Sequence, residues 1–177
     1  KSALFSIKEA LNESTKYNLI VFRSTMLPGT MNEIVIGYLD QECKQTRGRD
    51  YDVCYNPEFL RQESAYEDFF IPDRVIIGED FEGSSKLLQE LYKPLKEKII
   101  VTSPKAAEMI KYTSNCFLSL KISFFNEIGM LCKEIGIDDR AVSVGVSLDK
   151  RIGKYGTIAG RPFEGACLPK DTRALST

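Results

Sequence analysis

Short apolar runs rich in β-branched and aromatic residues alternate with segments of helical periodicity in the first part of the chain. Each run is apolar throughout, which is typical of strands buried on both faces. Strands separated by helices favour a parallel sheet with helices on both sides, and therefore an α/β fold. The predicted strands are 18–25, 51–55, 74–78 and 98–102, and the predicted helices are 1–17, 30–44 and 83–95.

After Ser103 the pattern changes to one long helical stretch, 104–135. Pro104 suits its first turn, with Ser103 as the cap. Apolar residues cover more than one stripe, so we expect this helix to be buried on several sides. A shorter helix over 138–146 and a glycine-rich loop up to Cys167 follow, so we predict an all-helical domain beginning after Ser103.

The charge balance and the lack of histidine exclude several classes of partner and site. Lys and Arg total 24 against 25 for Asp and Glu, a net charge of −1, so no summed positive field would hold a nucleic acid or an anionic membrane. Without histidine the chain cannot use a histidine triad, a histidine general base or most zinc and iron sites, and we predict no metal.

The five cysteines are odd in number and widely spaced, which indicates reduced thiols in a cytoplasmic protein rather than a disulfide framework. No apolar run approaches the ~20 residues of a membrane span, and no secretory leader is present. The chain starts at Lys1 within a helical pattern that lacks a cap, so we interpret it as a fragment.

Polar residues lie at the ends of three predicted strands, at the edge where an open α/β sheet binds its ligand. They are Ser24-Thr25, Asn56-Pro57-Glu58 and the turn after Gly78. Alternatively, Ser24 and Thr25 are caps and Glu58 is an acid at a helix N-terminus. Neither a G-x-G-x-x-G turn nor a P-loop occurs, so the pyrophosphate cradle of any nucleotide would lie outside this chain.

Two polar residues and one cysteine stand out in the second part of the chain. Lys111 and Asn115 are four apart and share a helix face, where an ammonium and an amide could act on one ligand. A solvated face is the alternative, although a lysine in so apolar a helix needs partners or a pocket. Cys167 follows a glycine-bearing loop and precedes Pro-Lys-Asp at a helix start, a setting that favours the nucleophilic thiolate. The contexts of the remaining cysteines are typical of inert thiols: Cys43, Cys54, Cys116 and Cys132.

Five stretches, in order and over nearly the whole chain, resemble the UDP-glucose/GDP-mannose dehydrogenase family of nucleotide-sugar 6-dehydrogenases. They are VFRSTMLPGT (21–30), YNPEFLRQESAYEDFFIPDRVIIG (55–78), AAEMIKYTSNCFLSLKISFFNEIGMLCKEIG (106–136), LDKRIG (148–153) and GACLPKDTRAL (165–175).

The resemblance implies part of a Rossmann-like NAD-binding domain in residues 1–103 and a helical central domain in residues 104–177. It also implies an NAD-dependent oxidation of the C6 alcohol of a UDP-glucose or GDP-mannose type of sugar to the carboxylate. In the family this reaction passes through a thiohemiacetal and a thioester on the enzyme.

Six residues of the chain match catalytic positions of the family. Cys167 matches the nucleophile, and Lys111 and Asn115 match the pair around the reacting oxygen. Asp171 matches the acid that orients this lysine or a water, Glu58 the water-activating carboxylate, and Thr25 the strand end that faces the nicotinamide. By the same resemblance the cofactor contacts are Ser24, Thr25, Gln62 and Lys170, and the substrate contacts are Glu58, Phe59, Leu60, Lys111, Asn115, Arg151, Phe163 and Gly165.

Two positions depart from the family pattern. Gln62 stands where the family has a glutamate near the nicotinamide, and Glu164 stands where a glycine lets the backbone approach the substrate. The family's glycine fingerprint and its C-terminal nucleotide-diphosphate domain are absent from these 177 residues, so we expect this chain alone to be inactive.

Two other functions stay open. A one-hydride dehydrogenase of the β-hydroxyacid type shares the Lys-x-x-x-Asn helix but needs no thiol, and Cys167 counts against it. A catalytically silent dimerisation module is the second, because both nucleotide-anchoring segments are missing. We also expect a homodimer through the helix 104–135, because Phe117, Phe124, Phe125 and Leu131 cannot all be buried in so small a domain.

Overall fold

The computed structural model describes residues 2–61, 63–95, 98–160, 162–163 and 165–176, so the departures at Gln62 and Glu164 lie outside the described residues. The chain forms two compact units, residues 1–111 and 112–177. Its elements are α1 (Ser2–Glu13), β1 (Asn18–Phe22), a π-helical segment (Met31–Ile36) that continues as α2 (Gly37–Glu42), β2 (Tyr51–Tyr55), α3 (Ala65–Phe70), β3 (Val75–Glu79), α4 (Lys86–Tyr92) with a 3₁₀ turn (Lys93–Leu95), β4 (Ile99–Thr102), α5 (Pro104–Ile135), α6 (Asp139–Ser147) and α7 (Cys167–Leu175).

The four predicted strands and the long helix are confirmed. α5 begins at Pro104 and ends at Ile135, and the Ala106 N–H donates to the Ser103 hydroxyl at 3.3 Å, which is the predicted cap. The short helix α3 was not predicted.

The first unit is built on a four-stranded sheet in the order β1-β2-β3-β4. β1 and β2 are parallel, with Phe22 opposite Tyr55, and β3 and β4 are parallel as well. β2 and β3 are antiparallel, so the prediction of a wholly parallel sheet is wrong for this pair. An apolar strand sequence indicates burial on both faces but does not indicate the direction of the strand, and mixed sheets are common.

The antiparallel pair also corrects the third predicted crevice position. Gly78 lies opposite Tyr55 and Glu79 opposite Cys54, so the chain after Gly78 runs back alongside β2, away from its carboxyl end. The turn after Gly78 therefore does not join the ends of β1 and β2.

Alternate residues of β2 face two helical layers. Tyr51, Val53 and Tyr55 belong to a core that includes residues of α1, the 31–42 helical segment and the first turns of α5. Cys54 faces the other way and packs with β3 and α4. Burial raises the pKa of Cys54 to about 12, which keeps this thiol protonated. The prediction of a sheet covered on both faces is confirmed for the central strands β2 and β3, whereas the edge strands β1 and β4 are half-buried and Val101 of β4 is exposed.

The second unit consists of the rest of α5 with α6, α7 and the loop between them. Lys121 of α5 donates to the Ile152 carbonyl at 2.5 Å, and Asn126 of α5 accepts from the Gly160 N–H at 2.8 Å. The Ser143 and Thr157 hydroxyls lie 3.1 Å apart and join α6 to the same loop. Among the described helices, none is long and apolar enough to cross a membrane.

Gly129 marks the closest approach between α5 and this loop. A methyl group at this position would overlap the Ala159 methyl. We expect Gly129→Ala to lower the free energy of unfolding by about 1–3 kcal/mol, as overpacking does. Gly145 of α6 meets nothing within 4 Å, so Gly145→Ala should raise the free energy of unfolding by about 0.5–1 kcal/mol. Urea unfolding measures the free energy of unfolding of both variants. Equal changes in Gly129→Ala and Gly145→Ala would contradict the prediction.

Candidate active site

The carboxyl ends of β1 and β2 bring two polar segments side by side in the first unit. The Asn56 N–H donates to the Phe22 carbonyl at 2.8 Å, so the hydrogen bonds between β1 and β2 continue to the point where both strands end. Ser24 is exposed and Thr25 is half-buried just beyond β1, and Glu58 follows β2 at the same edge. These are two of the three predicted strand ends, and the structure brings them together.

Lys111 reaches this edge from α5, and it is buried rather than solvated. Its side chain is 5% exposed, its Nζ donates to the Glu58 carbonyl at 2.5 Å, and the Nζ lies 3.5 Å from Glu58 Oε1. A buried ammonium needs such partners to offset its desolvation. Glu58 is 33% exposed, and its Oε2 accepts from the Leu60 N–H at 2.7 Å, so the carboxylate is held in place yet accessible to solvent.

Phe59 lies between two cations. The Arg74 guanidinium is 4.3 Å from its ring centroid and the Lys111 ammonium is 5.0 Å from it, distances at which the face of the ring attracts a cation. Arg74 reaches Phe59 because β3 begins beside the segment that follows β2, a consequence of the antiparallel pairing. In this structure Phe59 therefore packs against the proposed catalytic lysine, and Leu60 beside it is exposed.

In the second unit, Asn115 and Asp171 form a buried pair. The Asn115 Nδ2 donates to Asp171 Oδ2 at 2.6 Å, and Asp171 is 0% exposed. The Lys170 ammonium lies 2.7 Å from Asp171 Oδ1, and this hydrogen bond raises the pKa of Lys170. A carboxylate with these two partners fixes the orientation of Asn115 and anchors α7 to α5.

Cys167 is the first residue of α7 and is exposed. All five cysteines are described and free: Cys54 and Cys132 are buried, and Cys43 and Cys116 are half-buried. Cys167 is thus the most accessible thiol, at the position that the sequence singled out.

The remaining predicted substrate contacts lie in the loops of the second unit. Arg151 follows α6, is exposed and pairs with Asp149, with 2.6 Å between Nη2 and Oδ2. Phe163 is half-buried, and Gly165 just before Cys167 has a φ of +90°.

Two charged residues of the first unit, Arg74 and Glu108, were not predicted from the sequence as site residues. Glu108 is 0% exposed and accepts hydrogen bonds from the loop that follows β1. The sequence offers a clue to Glu108, because it is a charged residue three positions before Lys111 and therefore on the same side of a largely apolar helix. No group of three or more Cys, Asp or Glu side chains in the described part of the chain is arranged to hold a metal ion.

Comparison with known proteins matches both parts of the chain to one family. Residues 1–96 match the NAD binding domain of the UDP-glucose/GDP-mannose dehydrogenase family, and residues 105–177 match the central domain of that family. The chain belongs to the UDP-glucose/GDP-mannose dehydrogenase family. It shares 46% identity over 161 residues with the UDP-glucose 6-dehydrogenase of Rickettsia prowazekii, an alignment that covers 89% of this chain and 36% of the relative.

Solved members of the UDP-glucose/GDP-mannose dehydrogenase family share the fold. A UDP-glucose dehydrogenase from Pyrobaculum islandicum superposes with a TM-score of 0.91 at 42% identity, covering 98% of this chain and 40% of that one. The GDP-mannose dehydrogenase of Pseudomonas aeruginosa, solved as a ternary complex, superposes with a TM-score of 0.81 at 38% identity, covering 99% and 41%. The chain therefore spans about two fifths of the length of these relatives.

The described residues fit one end of the NAD that this family binds. The hydroxyls of Ser24 and Thr25 lie at a strand end, where a nicotinamide or ribose could be held. The backbone N–H groups at the start of the following helix, where a phosphate could otherwise bind, are used by Glu108. The fit is to the nicotinamide end and not to the diphosphate.

Proposed function

We propose that the polypeptide carrying this chain is an NAD-dependent nucleotide-sugar 6-dehydrogenase that oxidises the C6 alcohol of UDP-glucose or GDP-mannose to the carboxylate. The observation that carries the proposal is the exposed Cys167 at the start of a helix whose buried Asp171 holds Asn115. A one-hydride dehydrogenase has no use for that thiol. Family membership and the identity to UDP-glucose and GDP-mannose dehydrogenases support the substrate class.

Cys167 acts after the alcohol has become an aldehyde. Its thiolate adds to the C6 carbon, a carbon–sulfur bond forms as the carbon–oxygen π bond breaks, and the carbonyl oxygen takes up the proton that the Cys167 thiol released, which gives the hydroxyl of a thiohemiacetal. Loss of the remaining C6 hydrogen as hydride, together with release of the hydroxyl proton to water, turns this adduct into a thioester. Water then attacks C6 and expels the thiolate, which leaves the carboxylate and restores Cys167. Bound NAD supplies the acceptor for one hydride in each oxidation.

Lys111 and Asn115 stabilise the negative charge that develops on the C6 oxygen. Lys111 is prepared for this by its contacts with Glu58 and Phe59, which hold the ammonium in place before substrate binds. Asp171 is fully buried, so it acts by positioning Asn115 rather than by touching the sugar.

Glu58 accepts a proton from the water that hydrolyses the thioester. Its partial exposure allows water to reach it, while the Leu60 N–H fixes one carboxylate oxygen. Ser24 and Thr25 hold the nicotinamide end of NAD, with Lys170 and Gln62 as further cofactor contacts. Phe59, Leu60, Arg151, Phe163 and Gly165 complete the substrate contacts.

The reaction is tested by its stoichiometry. The full-length polypeptide should form two NADH for each UDP-glucose or GDP-mannose consumed, and should leave UDP-N-acetylmannosamine unchanged. One NADH per sugar would favour the β-hydroxyacid type of chemistry, and none with either sugar would favour a dimerisation module. The 177-residue chain alone, tested in parallel, should form no NADH, because its diphosphate anchor is missing.

We further propose that this chain self-associates through α5. Phe117 and Phe124, seven positions apart on one face, are 61% and 56% exposed, and Leu120 and Leu131 nearby are exposed as well, whereas Phe125 is buried. The expectation that α5 is buried on several sides is therefore wrong for this face within the single chain. An apolar stripe of this kind marks a protein contact.

The double change Phe117→Glu and Phe124→Glu should weaken self-association at least about tenfold, since each glutamate would be buried without a partner. Thr113→Glu adds the same charge at an exposed polar position of α5 and should leave association unchanged. Sedimentation equilibrium measures the difference. A monomeric wild type at high concentration would contradict the contact.

We also propose a domain boundary after residue 103 and a cytoplasmic location. We assign residues 1–103 to NAD binding and residues 104–177 to the central domain. Five free thiols suit the reducing cytoplasm, where we place the reaction.

A further inference from the structure

Glu108 lies at the point where α5 meets the loop after β1, and it is 0% exposed. Its Oε2 accepts from the Gly29 N–H at 2.6 Å, and its Oε1 accepts from the Met31 N–H at 2.8 Å. Both oxygens of one carboxylate thus bind backbone on either side of Thr30. Hydrogen bonds from N–H groups to a charged oxygen are short and strong, as these are.

The segment that Glu108 holds carries the proposed nicotinamide contacts. Residues 23–30 run from the end of β1 to Met31, whose side chain is fully buried in the core. A turn closes just before the contact, with the Thr30 N–H donating to the Leu27 carbonyl at 2.9 Å. Gly29 has a φ of +101°, which a side chain would disfavour, and this conformation lets its N–H reach the carboxylate.

The other end of the contact carries the proposed catalytic lysine. Lys111 lies three residues after Glu108 on α5, and its ammonium is bound at Glu58. One rigid turn of helix therefore joins the carboxylate that grips the loop to the lysine at the neighbouring strand end.

We propose that Glu108 is a positioning residue that fixes the 23–30 loop against α5, so that Thr25 and Lys111 keep a constant relation during both oxidations. The proposal rests on the proposed function for the roles of Thr25 and Lys111. It assigns Glu108 no contact with the sugar or with NAD.

The burial of this carboxylate supports a role beyond packing. Desolvation raises the pKa of Glu108, and the two N–H donors only partly oppose it. An apolar side chain would fill the same space without that penalty but could not bind two N–H groups. The carboxylate also occupies the start of the helical segment, so the diphosphate of a cofactor is not expected there.

The tether is tested first by amide hydrogen exchange on this chain, independently of any activity. Glu108→Gln keeps the shape but offers one acceptor oxygen in place of two, so at least one of the Gly29 and Met31 amides should exchange at least about tenfold faster, with the β2 amides unchanged. Glu42→Gln is the matched control, because this exposed carboxylate of α2 is neutralised without loss of an acceptor for either N–H. Unchanged exchange in Glu108→Gln would overturn the tether.

The positioning role is tested by single-turnover NADH formation in the full-length enzyme. Glu108→Gln should slow the rate constant of both hydride steps at least about tenfold while the amplitude per enzyme molecule is retained, because displacement of catalytic groups by about 1 Å has effects of this size or larger. A merely structural role would lower the amplitude and leave the rate constant alone. Glu108→Asp keeps the charge but has a shorter side chain, so its rate constants should lie between those of wild type and Glu108→Gln. It replaces Glu108→Gln if that variant fails to fold.

The outcomes separate the two proposals. If exchange at Gly29 or Met31 accelerates but the rate constants stay at the wild-type value, positioning is overturned and the proposed function stands. If the wild-type enzyme oxidises no nucleotide-sugar, the proposed function fails and the positioning role falls with it, whereas the exchange experiment still decides the tether.

Discussion

Cys167→Ser should abolish formation of the carboxylate in the full-length enzyme while nucleotide-sugar binding stays nearly intact. The change replaces one small, exposed atom, so few ground-state contacts are lost. A hydroxyl is a far weaker nucleophile without an adjacent base, and the chain has no histidine to activate it. The loss should be at least about a thousandfold and should appear in kcat rather than in substrate affinity.

Single-turnover NADH formation locates the failing step. With the sugar alcohol the variant should still form the first NADH, and with the sugar aldehyde it should form almost none. Cys43→Ser is the matched control, because this half-buried thiol lies away from the proposed site at the end of α2 and should leave both steps unchanged. Conversion of the aldehyde at a near wild-type rate in Cys167→Ser would exclude a thioester and favour the one-hydride alternative.

The elements of this fold could be predicted because local patterns determine them. The residues of Tyr51–Tyr55 by themselves predict the strand β2. Likewise, α5 is bounded by its own N-cap, Ser103, and by Gly136 directly after its last residue. Strand direction is not local. The pairing of Tyr55 with Gly78 depends on how residues 56–74 return to the sheet, and an apolar strand has the same composition in either direction.

The candidate site shows the same limit. A lysine in an apolar helix must have partners, so the sequence could predict that Lys111 is not solvated. It could not name Glu58, 53 positions away, because that contact depends on the strand order. Glu108 satisfies the same criterion as Lys111, but a glutamate near a helix start has an ordinary explanation in the helix dipole, and this conceals its partners at Gly29 and Met31.

The fold predicts that the two sets of proposed catalytic groups tolerate different changes. Lys111 is held by neighbours that remain in place if its side chain is shortened, and Glu58 is exposed enough to be hydrated without it. Asp171 is fully buried with Asn115 and Lys170 as partners, so removal of either partner leaves a buried carboxylate less well compensated. Substitution at Lys111 is therefore the cleaner test of oxyanion stabilisation.

Lys111→Ala should slow both hydride steps on the order of a hundredfold or more, since a charged donor at the C6 oxygen is needed in each oxidation. Nucleotide-sugar and NAD affinities should change much less, because Lys111 is bound to Glu58 before substrate arrives and adds little to ground-state binding. The failing step therefore differs from that of Cys167→Ser, which retains the first oxidation.

Lys111→Met and Lys133→Ala complete the test. Methionine keeps most of the lysine stem against Phe59 but removes the charge. If the charge of Lys111 is what matters, the hydride steps of Lys111→Met should be as slow as those of Lys111→Ala. If packing against Phe59 is what matters, they should return to the wild-type rate. Lys133, exposed in the last turn of α5, provides the control for loss of a lysine from this helix. If each of the two hydride steps has the same single-turnover rate constant in Lys111→Met as in wild type, Lys111 holds the strand ends together without acting on the C6 oxygen.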